Sequence, residues 1–128
     1  MSQSQFAPVS SPRHTEPTTV VDEETVQSVL DALDDADCRR ILAATDGEAR
    51  SASELAEACD IALSTTYRKL DTLTDLGLLS EQLRVRRSGA HTSEYRRAVD
   101  DVTVSVSATG IELRVTRRDL ETAAPLVA

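Results

Sequence analysis

The stretch from Ser51 to Leu79, SASELAEACDIALSTTYRKLDTLTDLGLL, constrains the fold of this chain more than any other segment. Its first helix is predicted to begin at a capping box, in which the Ser51 hydroxyl accepts a hydrogen bond from the Glu54 amide and the Glu54 carboxylate accepts one from the Ser51 amide. Apolar residues then recur at steps of three and four, which is helical spacing. The stretch therefore predicts two helices joined by a tight turn, closed by Gly77 in the left-handed conformation that ends many helices.

The second helix is predicted to run from Thr65 to about Leu76, with Ser64 as its N-terminal cap. Thr66, Leu70 and Leu73 recur on one face, as in a helix packed on a core. Hydroxyl, phenol and cationic groups lie on or beside the opposite face: Ser64, Thr65, Tyr67, Arg68 and Lys69. Such groups can bond phosphates and base edges, and Arg suits guanine O6 and N7. This helix is therefore predicted to fit the major groove of duplex DNA.

A basic, strand-like segment follows the second helix. Residues 78–87 and 93–97 flank a loop of five residues, and Leu83 and Val85 alternate with arginines, which is typical of a half-buried strand. We expect a hairpin with a cationic tip, while Tyr95 is expected to pack against the second helix. The candidate DNA contacts of this hairpin are Arg84, Arg86, Arg87 and His91. A run of arginines in an acidic chain favours phosphate contact over a merely solvated hairpin.

Further elements are expected on both sides of this segment. Upstream, Asp22 is expected to cap one helix and Asp34 or Asp35 a second, each with a buried apolar face. The apolar positions of these two helices are Val26, Val29, Leu30, Leu33, Cys38, Ile41 and Leu42. Downstream, valines at 102, 104 and 106 and apolar residues at 111, 113 and 115 flank a turn containing Gly110, which predicts a second hairpin. Its apolar face must be buried either on the rest of the chain or against a second copy.

Composition and pattern suggest three segments. Residues 1–21 hold all but one of the four prolines and show no periodicity, so we expect a disordered arm. Residues 22–99 form the helical and basic domain, and residues 100–128 form the second hairpin and a tail with one helical turn, a possible dimerisation element. The arm has no apolar core of a signal peptide, and no span approaches the length of a membrane helix, so we expect a cytoplasmic protein without a membrane anchor.

The net charge of −8 conceals an asymmetry. Residues 64–99 carry seven basic and four acidic side chains, or +3, whereas the remaining residues carry seven and 18, or −11. Positive charge therefore coincides with the expected reading surface, as a nucleic-acid interface requires. The aromatic content of 2% implies a small aliphatic core, and such cores often gain burial by dimerising. Together with paired half-sites on DNA, this predicts a homodimer.

The run ELAEACDIALSTTYRKLDTLTDLGLL resembles the helix-turn-helix of the ArsR-like winged-helix regulators, especially their halophilic archaeal members. Acid excess and a single lysine, Lys69, among 14 basic residues are similar to proteins of salt-accumulating archaea. The resemblance covers roughly residues 26–99. It implies an α+β fold, a winged helix-turn-helix with an additional C-terminal β-hairpin, and a dimeric, sequence-specific transcription factor that binds double-stranded DNA. Carried over by position, Ser64, Thr65, Tyr67, Arg68 and Lys69 would meet the major groove, and Arg86 and Arg87 the flanking backbone.

The sequence departs from this family at two points. Metal-sensing members place a Cys-x-Cys at the start of the first helix of the motif, where this chain has Ser51 and Ser53. No metal site or cofactor is therefore expected. The second hairpin replaces the terminal helix through which members of the family usually dimerise, so the dimer geometry is open.

Three other functions are alternatives to DNA binding: protein assembly, catalysis and redox sensing. A winged-helix protein–protein adaptor without direct DNA contact is the main alternative. An enzyme lacks support because the chain has no glycine-rich phosphate loop and no nucleophile and base at a recognisable spacing. Cys38 and Cys59 fall on apolar helix faces, where a buried structural thiol is the usual outcome; Cys38 is the candidate for a redox switch near a dimer interface.

Overall fold

The structure is a computed structural model that describes residues 17–85 and 87–118. Within these ranges the helices and strands follow in an order that agrees with the predicted α+β winged helix-turn-helix carrying a C-terminal hairpin. They are β1 (Thr18–Val20), α1 (Glu23–Asp34), α2 (Ala36–Ala44), β2 (Arg50–Ser51), α3 (Ala52–Cys59), α4 (Leu63–Asp75), β3 (Leu79–Val85), β4 (His91–Arg97), β5 (Val99–Ser107) and β6 (Gly110–Arg117).

The strands form two antiparallel sheets. One has the order β2-β4-β3, and its hairpin of β3 and β4 is called the wing. The other has the order β1-β6-β5, and its hairpin of β5 and β6 is called the C-terminal hairpin. Ser107 pairs with Gly110 across a two-residue turn, and Gly110 has a φ of +132°, as the sequence predicted for this glycine.

Local side-chain bonds explain where the helices begin and end. The Asp22 carboxylate accepts a hydrogen bond from the Thr25 amide at 2.9 Å and starts α1. Asp35 accepts bonds from the amides of Asp37 and Cys38 and starts α2. The predicted capping box of α3 is present, with distances of 2.8 and 3.2 Å between Ser51 and Glu54. Gly77, at a φ of +78°, follows α4 and turns the chain into the wing.

The core lies where α2, α3 and α4 meet the base of the wing. Leu55, Leu70 and Leu73 are fully buried there, as the helical spacing predicted, and Tyr95 joins them with 5% of its surface exposed. On α1 the buried residues are Val26, Val29 and Ala32, whereas the predicted core residues Leu30 and Leu33 are half-buried. Ala32 of α1 lies in the same core cluster as Cys38 and Ile41 of α2.

The C-terminal hairpin is docked on this body through half of its apolar face. Leu113 is fully buried in a cluster with Val26 and Val29 of α1. Arg117 donates a hydrogen bond to the Gly77 carbonyl at 2.7 Å, and Arg118 donates to Asp46 at 2.9 Å. The hairpin therefore belongs to the same packed unit as the helices.

Several predicted boundaries differ from the structure. Thr18–Val20 form a strand paired with β6, so the expected disordered arm over residues 1–21 is wrong at its C-terminal end; residues 1–16 lie outside the described ranges. The N-cap of α4 is Ala62, which makes no side-chain cap bond, and Ser64 lies within the first helical turn. The helix predicted from Thr65 to about Leu76 therefore begins two residues earlier, at Leu63, and ends one residue earlier, at Asp75. The single turn expected within 120–128 also lies outside the described ranges.

The wing differs in burial. Leu83 and Val85 were predicted on a half-buried face, but 62% and 68% of their surfaces are exposed. Leu83 and Val85 lie nearer the tip of the wing than Tyr95 does, and neither of these two side chains belongs to a core cluster. The alternation that predicted burial therefore holds only at the base of the wing, where Leu79 is buried.

Candidate nucleic-acid interface

The outward face of α4 divides into a polar and cationic first half and an acidic second half. Ser64 and Arg68 are exposed, 49% of Tyr67 is exposed, and Thr65 is half-buried. The Thr65 hydroxyl oxygen accepts a long hydrogen bond of 3.4 Å from the Arg68 guanidinium. This contact holds Arg68 toward the N-terminal turn, the part of a recognition helix that contacts base edges in the major groove.

Acids occupy the rest of that face. Asp71 and Asp75, in the last two turns of α4, are both exposed. Their carboxylates would repel phosphates, so any anionic partner is confined to the first half of the helix. This distribution of charge therefore limits the candidate DNA-binding surface of α4 to the first half of the helix.

Lys69 does not join the exposed set. Its ammonium group forms an ion pair with Asp35, the residue that caps α2, and its side chain is 23% exposed. The hydrogen bond from Lys69 holds the pKa of the Asp35 carboxyl below its usual range, and the same bond raises the pKa of Lys69. The sequence placed Lys69 among the DNA contacts; the structure gives it an internal partner that anchors α4 to the start of α2.

Arg84 is likewise engaged within the protein. Its guanidinium pairs with Glu94, which is 8% exposed on the neighbouring strand β4. The charge of Arg84 also contributes to the lowered pKa of Glu54, whose largest cause is the backbone hydrogen bond from Ser51. Arg84 therefore lies between two carboxylates near the start of α3, and the expected contact with DNA would have to compete with both.

The wing tip carries the remaining candidates. Arg87 and His91 are exposed, as a reading surface requires, whereas Arg86 lies outside the described residues. Between the tip and α4 runs a cleft of about 550 Å³, here called the α4–wing cleft. Tyr67 forms part of its helix side and His91 part of its wing side. The structure thus brings two sequence-predicted site residues from separate elements to one surface.

Hydroxyl groups that the sequence pattern did not single out also line the α4–wing cleft. They are contributed by Ser53, at the start of α3, and by Thr92 and Ser93 on the returning strand of the wing. At its floor, burial and the carboxylates of Glu81 and Asp71 raise the pKa of Tyr95 to about 12, so its phenol stays protonated. Two features of the sequence could have indicated these residues. Ser53 lies two residues after Ser51, the cap of α3, and polar side chains alternate along β4.

Cys38 lies in an environment unfavourable to redox chemistry. It is 2% exposed, and burial together with the negative charge of Asp35 raises the pKa of its thiol. Since the thiolate is the reactive form, this places Cys38 with structural thiols rather than redox sensors. Cys38 belongs to the core cluster that also contains Ile41, Leu55 and Leu70. Its position near a dimer interface stays a prediction.

No group of three or more His, Cys, Asp or Glu side chains in the described ranges is arranged to hold a metal ion. Among the same residues, no helix combines the length and apolarity needed to cross a lipid bilayer.

The chain is similar to one family model and to two solved structures. Residues 24–82, from α1 into the wing, match the family model described as a helix-turn-helix domain. No protein of curated function matches the sequence significantly. One similar solved structure is a homodimeric winged helix-turn-helix DNA-binding domain, fragment 1–100, from Mycobacterium bovis, described as a possible ArsR-family transcriptional regulator. It is 24% identical with a TM-score of 0.49, over 59% of this chain and 65% of that chain.

A second similar structure is a possible transcriptional regulator from Methanosarcina mazei. It is 14% identical with a TM-score of 0.46, over 62% of this chain and 73% of its own. This chain therefore spans slightly less than two thirds of the first of these two structures. The arrangement of α3, α4 and the wing is that of a winged helix-turn-helix fold, and residues 24–82 match the helix-turn-helix family model.

Proposed function

We propose that this chain is a homodimeric, sequence-specific DNA-binding transcriptional regulator similar to the ArsR-like proteins. The observation that carries the proposal is the common exposure of Tyr67 and Arg68 on the first half of α4 and of His91 on the wing, with Tyr67 and His91 along one cleft. Supporting it, residues 64–99 carry a net charge of +3 within a chain of net charge −8. Cationic and hydroxyl groups concentrated on a helix and an adjoining wing fit the grooves of duplex DNA.

The roles of the site residues follow from their exposure. The first half of α4 enters the major groove, with Ser64, Thr65, Tyr67 and Arg68 toward the base edges. The wing, with Arg87 and His91 and with Arg86 as predicted from the sequence, contacts the neighbouring backbone or minor groove. Lys69 and Arg84 act as positioning residues: Lys69 fixes the helix through Asp35, and Arg84 fixes the wing through Glu94.

We assign the chain further to the halophilic archaeal type. The support is the excess of 22 acidic over 14 basic residues and the single lysine. At molar salt the Debye length is about 3 Å, so long-range steering of DNA is almost abolished. Counterion release also drives binding weakly under these conditions. Affinity then depends on short-range contacts, above all a bidentate bond from Arg68 to guanine.

Two arginine substitutions test this division of roles. Arg68→Ala is expected to weaken binding to a specific site by about 1–3 kcal/mol while sparing random DNA, because it removes a base contact. Arg87→Ala is expected to weaken binding to both DNAs alike, because it removes a phosphate contact. Titrations of specific and random duplexes with both variants measure the two effects. Equal losses for the two variants on both duplexes would contradict the assignment.

The alternative function, a winged-helix adaptor for protein assembly, is favoured by one observation. Leu83 and Val85 expose apolar surface on the wing, which suits a protein partner better than a phosphate backbone. Retardation of genomic fragments at molar KCl distinguishes the two functions. A DNA-binding regulator retards a subset of fragments, and retardation of none would favour the adaptor.

A further inference from the structure

We propose that two copies of this chain pair through β5, antiparallel about a two-fold axis at Val104, so that their C-terminal hairpins join into one continuous sheet. The inference rests on the homodimer of the proposed function and specifies its interface. It concerns β5, which contains none of the proposed DNA contacts, so its failure can be separated from a failure of DNA binding.

The first observation is the open edge of β5. In the sheet order β1-β6-β5, strand β6 is central, and β5 has β6 on one side and no strand on its other side among the described residues. At nine residues, Val99–Ser107, β5 is the longest strand of the described chain. Open edges present unpaired amide and carbonyl groups, and proteins usually protect them with lysine, proline or bulges. From Val102 to Ser107, β5 has no charged residue and no proline.

The second observation is the uncovered half of the apolar face. Val102, Val104 and Val106 pair with Val115, Leu113 and Ile111 of β6, so all six side chains lie on one face of the hairpin. Helix α1 covers the β6 side near its middle, where Leu113 is fully buried. The outer side is open: Val104 is 47% exposed, Val106 82% and Ile111 39%. An apolar, half-covered face that ends at an unpaired strand edge is suited to extension by another strand.

The third observation identifies a second copy as the occupant, because β5 is complementary to itself when Val104 faces Val104. With Val104 opposite Val104, each Val102 faces a Val106, and Thr103 faces Ser105 on the polar face. Asp101 then faces Ser107, so no acid meets another acid and no carboxylate meets a valine. Shifting the axis to Thr103 would place Asp100 opposite Val106, and shifting it to Asp101 would place two carboxylates together. The axis at Val104 pairs all three valines.

A cleft lies between α1 and the turn of the C-terminal hairpin, and Ile111 of the apolar face is part of its lining. Its volume is about 350 Å³, and Val21, Val26 and Leu30 line its other side. Joining two hairpins through β5 would bring the exposed valines of both copies together on one apolar face. The pairing therefore adds side-chain burial to main-chain hydrogen bonds, which strands paired only at their edges lack.

Sedimentation of the full chain without DNA tests the interface. The wild type is expected to be a dimer, and Val104→Asp is expected to raise its dissociation constant at least about 100-fold, since two carboxylates would be buried opposite each other. The matched control is Val85→Asp, which places a carboxylate at an equally apolar, 68% exposed position on the wing and should leave the dimer intact. Circular dichroism checks that each variant is folded.

Cross-linking tests the register without adding charge. Val104→Cys places two sulfur atoms directly opposite each other across the axis, within the range of a disulfide. Val106→Cys is the control, because the two copies of residue 106 would lie about 13 Å apart along the strands even though this position is more exposed. Mild oxidation should therefore cross-link the first variant and not the second. The native thiols of Cys38 and Cys59 are buried and contribute little background.

Each outcome decides the proposal. A dimer that Val104→Asp disrupts and Val104→Cys traps supports it. A monomeric wild type, an intact Val104→Asp dimer, or stronger cross-linking through residue 106 overturns it. If the wild-type monomer still retards DNA, the regulator function stands while this interface fails; if the β5 dimer forms but retards no DNA, the reverse holds.

Discussion

Lys69 and Asp35 form an ion pair, although the sequence predicts a DNA contact for Lys69 and a helix cap for Asp34 or Asp35. Asp35 caps α2 through the amides of Asp37 and Cys38, and its other carboxylate oxygen receives the Lys69 ammonium. A cationic residue on α4 is thereby used to orient that helix. The single lysine of the chain thus has a structural role, and Arg68, its exposed neighbour, is left as the cation of α4 that faces outward.

This pair predicts a pH-dependent contribution to stability. Because the folded pKa of Asp35 is lowered and that of Lys69 is raised, their mutual stabilisation is present between the two unfolded-state values, 3.8 and 10.5. It is lost as pH falls through the folded pKa of Asp35, or rises through that of Lys69. Asp35→Asn is expected to lower the free energy of unfolding at pH 7 by about 1 kcal/mol.

Urea denaturation at pH 7 and at pH values below 3.8 measures this difference, which should shrink as the pH falls toward the lowered folded pKa of Asp35. Asp34→Asn is the control, since Asp34 is exposed at the end of α1 and should change stability by less than about 0.5 kcal/mol. A loss in Asp35→Asn that is independent of pH would mean that the charge of Asp35 contributes nothing.

At the scale of elements, α4 begins without the features that usually stabilise a helix start. Its N-cap is Ala62, no side chain caps it, and its first turn contains no acid. The first amide groups of α4 therefore lack a capping side chain at the end that is proposed to approach phosphate oxygens. A helix N-terminus of this kind favours anions through its dipole and its free amides.

Two substitutions of Ala62 separate the stability of α4 from its proposed use. Both Ala62→Ser and Ala62→Asp are expected to stabilise the protein by about 0.5–1 kcal/mol by supplying the missing cap. Only Ala62→Asp is expected to weaken DNA binding, about fivefold to tenfold, because its carboxylate would meet phosphate. Thermal melts and DNA titrations of the pair measure these effects. Unchanged DNA affinity in Ala62→Asp would place the start of α4 away from DNA.

The wing shows what an alternating sequence pattern predicts about burial and what it does not. Its strands and register agree with the pattern, and its base is buried at Leu79 and Tyr95. Toward the tip the same alternation continues at Leu83 and Val85, which are exposed. Alternation reports which side chains share a face; it does not report whether another element covers that face.

At the scale of the whole molecule, the C-terminal hairpin is part of the folded unit rather than an appendage to residues 22–99. Leu113 and Val115 are buried, and Arg118 bridges Asp100 and Asp46 across the interface between hairpin and helices. We therefore expect the helices and the hairpin to unfold in one cooperative transition.

Leu113→Ala tests this integration. Removing a fully buried leucine that packs on α1 is expected to lower the free energy of unfolding by about 2–5 kcal/mol. The loss should appear equally in helical circular dichroism and in tyrosine fluorescence, because both tyrosines lie in the helix and wing region. Val85→Ala, at an exposed position, is expected to cost less than about 0.5 kcal/mol. A small loss in Leu113→Ala would show that the hairpin unfolds separately from the helices.

What the sequence by itself determined is the local structure. The capping box at Ser51, the spacing of Leu70 and Leu73, and the two hairpins depend on residues a few positions apart, and these agree with the structure. Ser64 was misplaced as a cap because several residues near the start of α4 have the right local chemistry and only the backbone path selects Ala62.

Only the tertiary structure decided which of the predicted site residues are available. Lys69 meets Asp35 from 34 positions away, Arg84 meets Glu94 across the wing, and Thr18–Val20 find their partner in β6 near the other end of the chain. Charges and strand edges select partners by proximity in space, and that proximity is set by packing rather than by spacing along the chain. The same packing leaves the outer edge of β5 without a strand partner among the described residues, which no local pattern in the sequence could indicate.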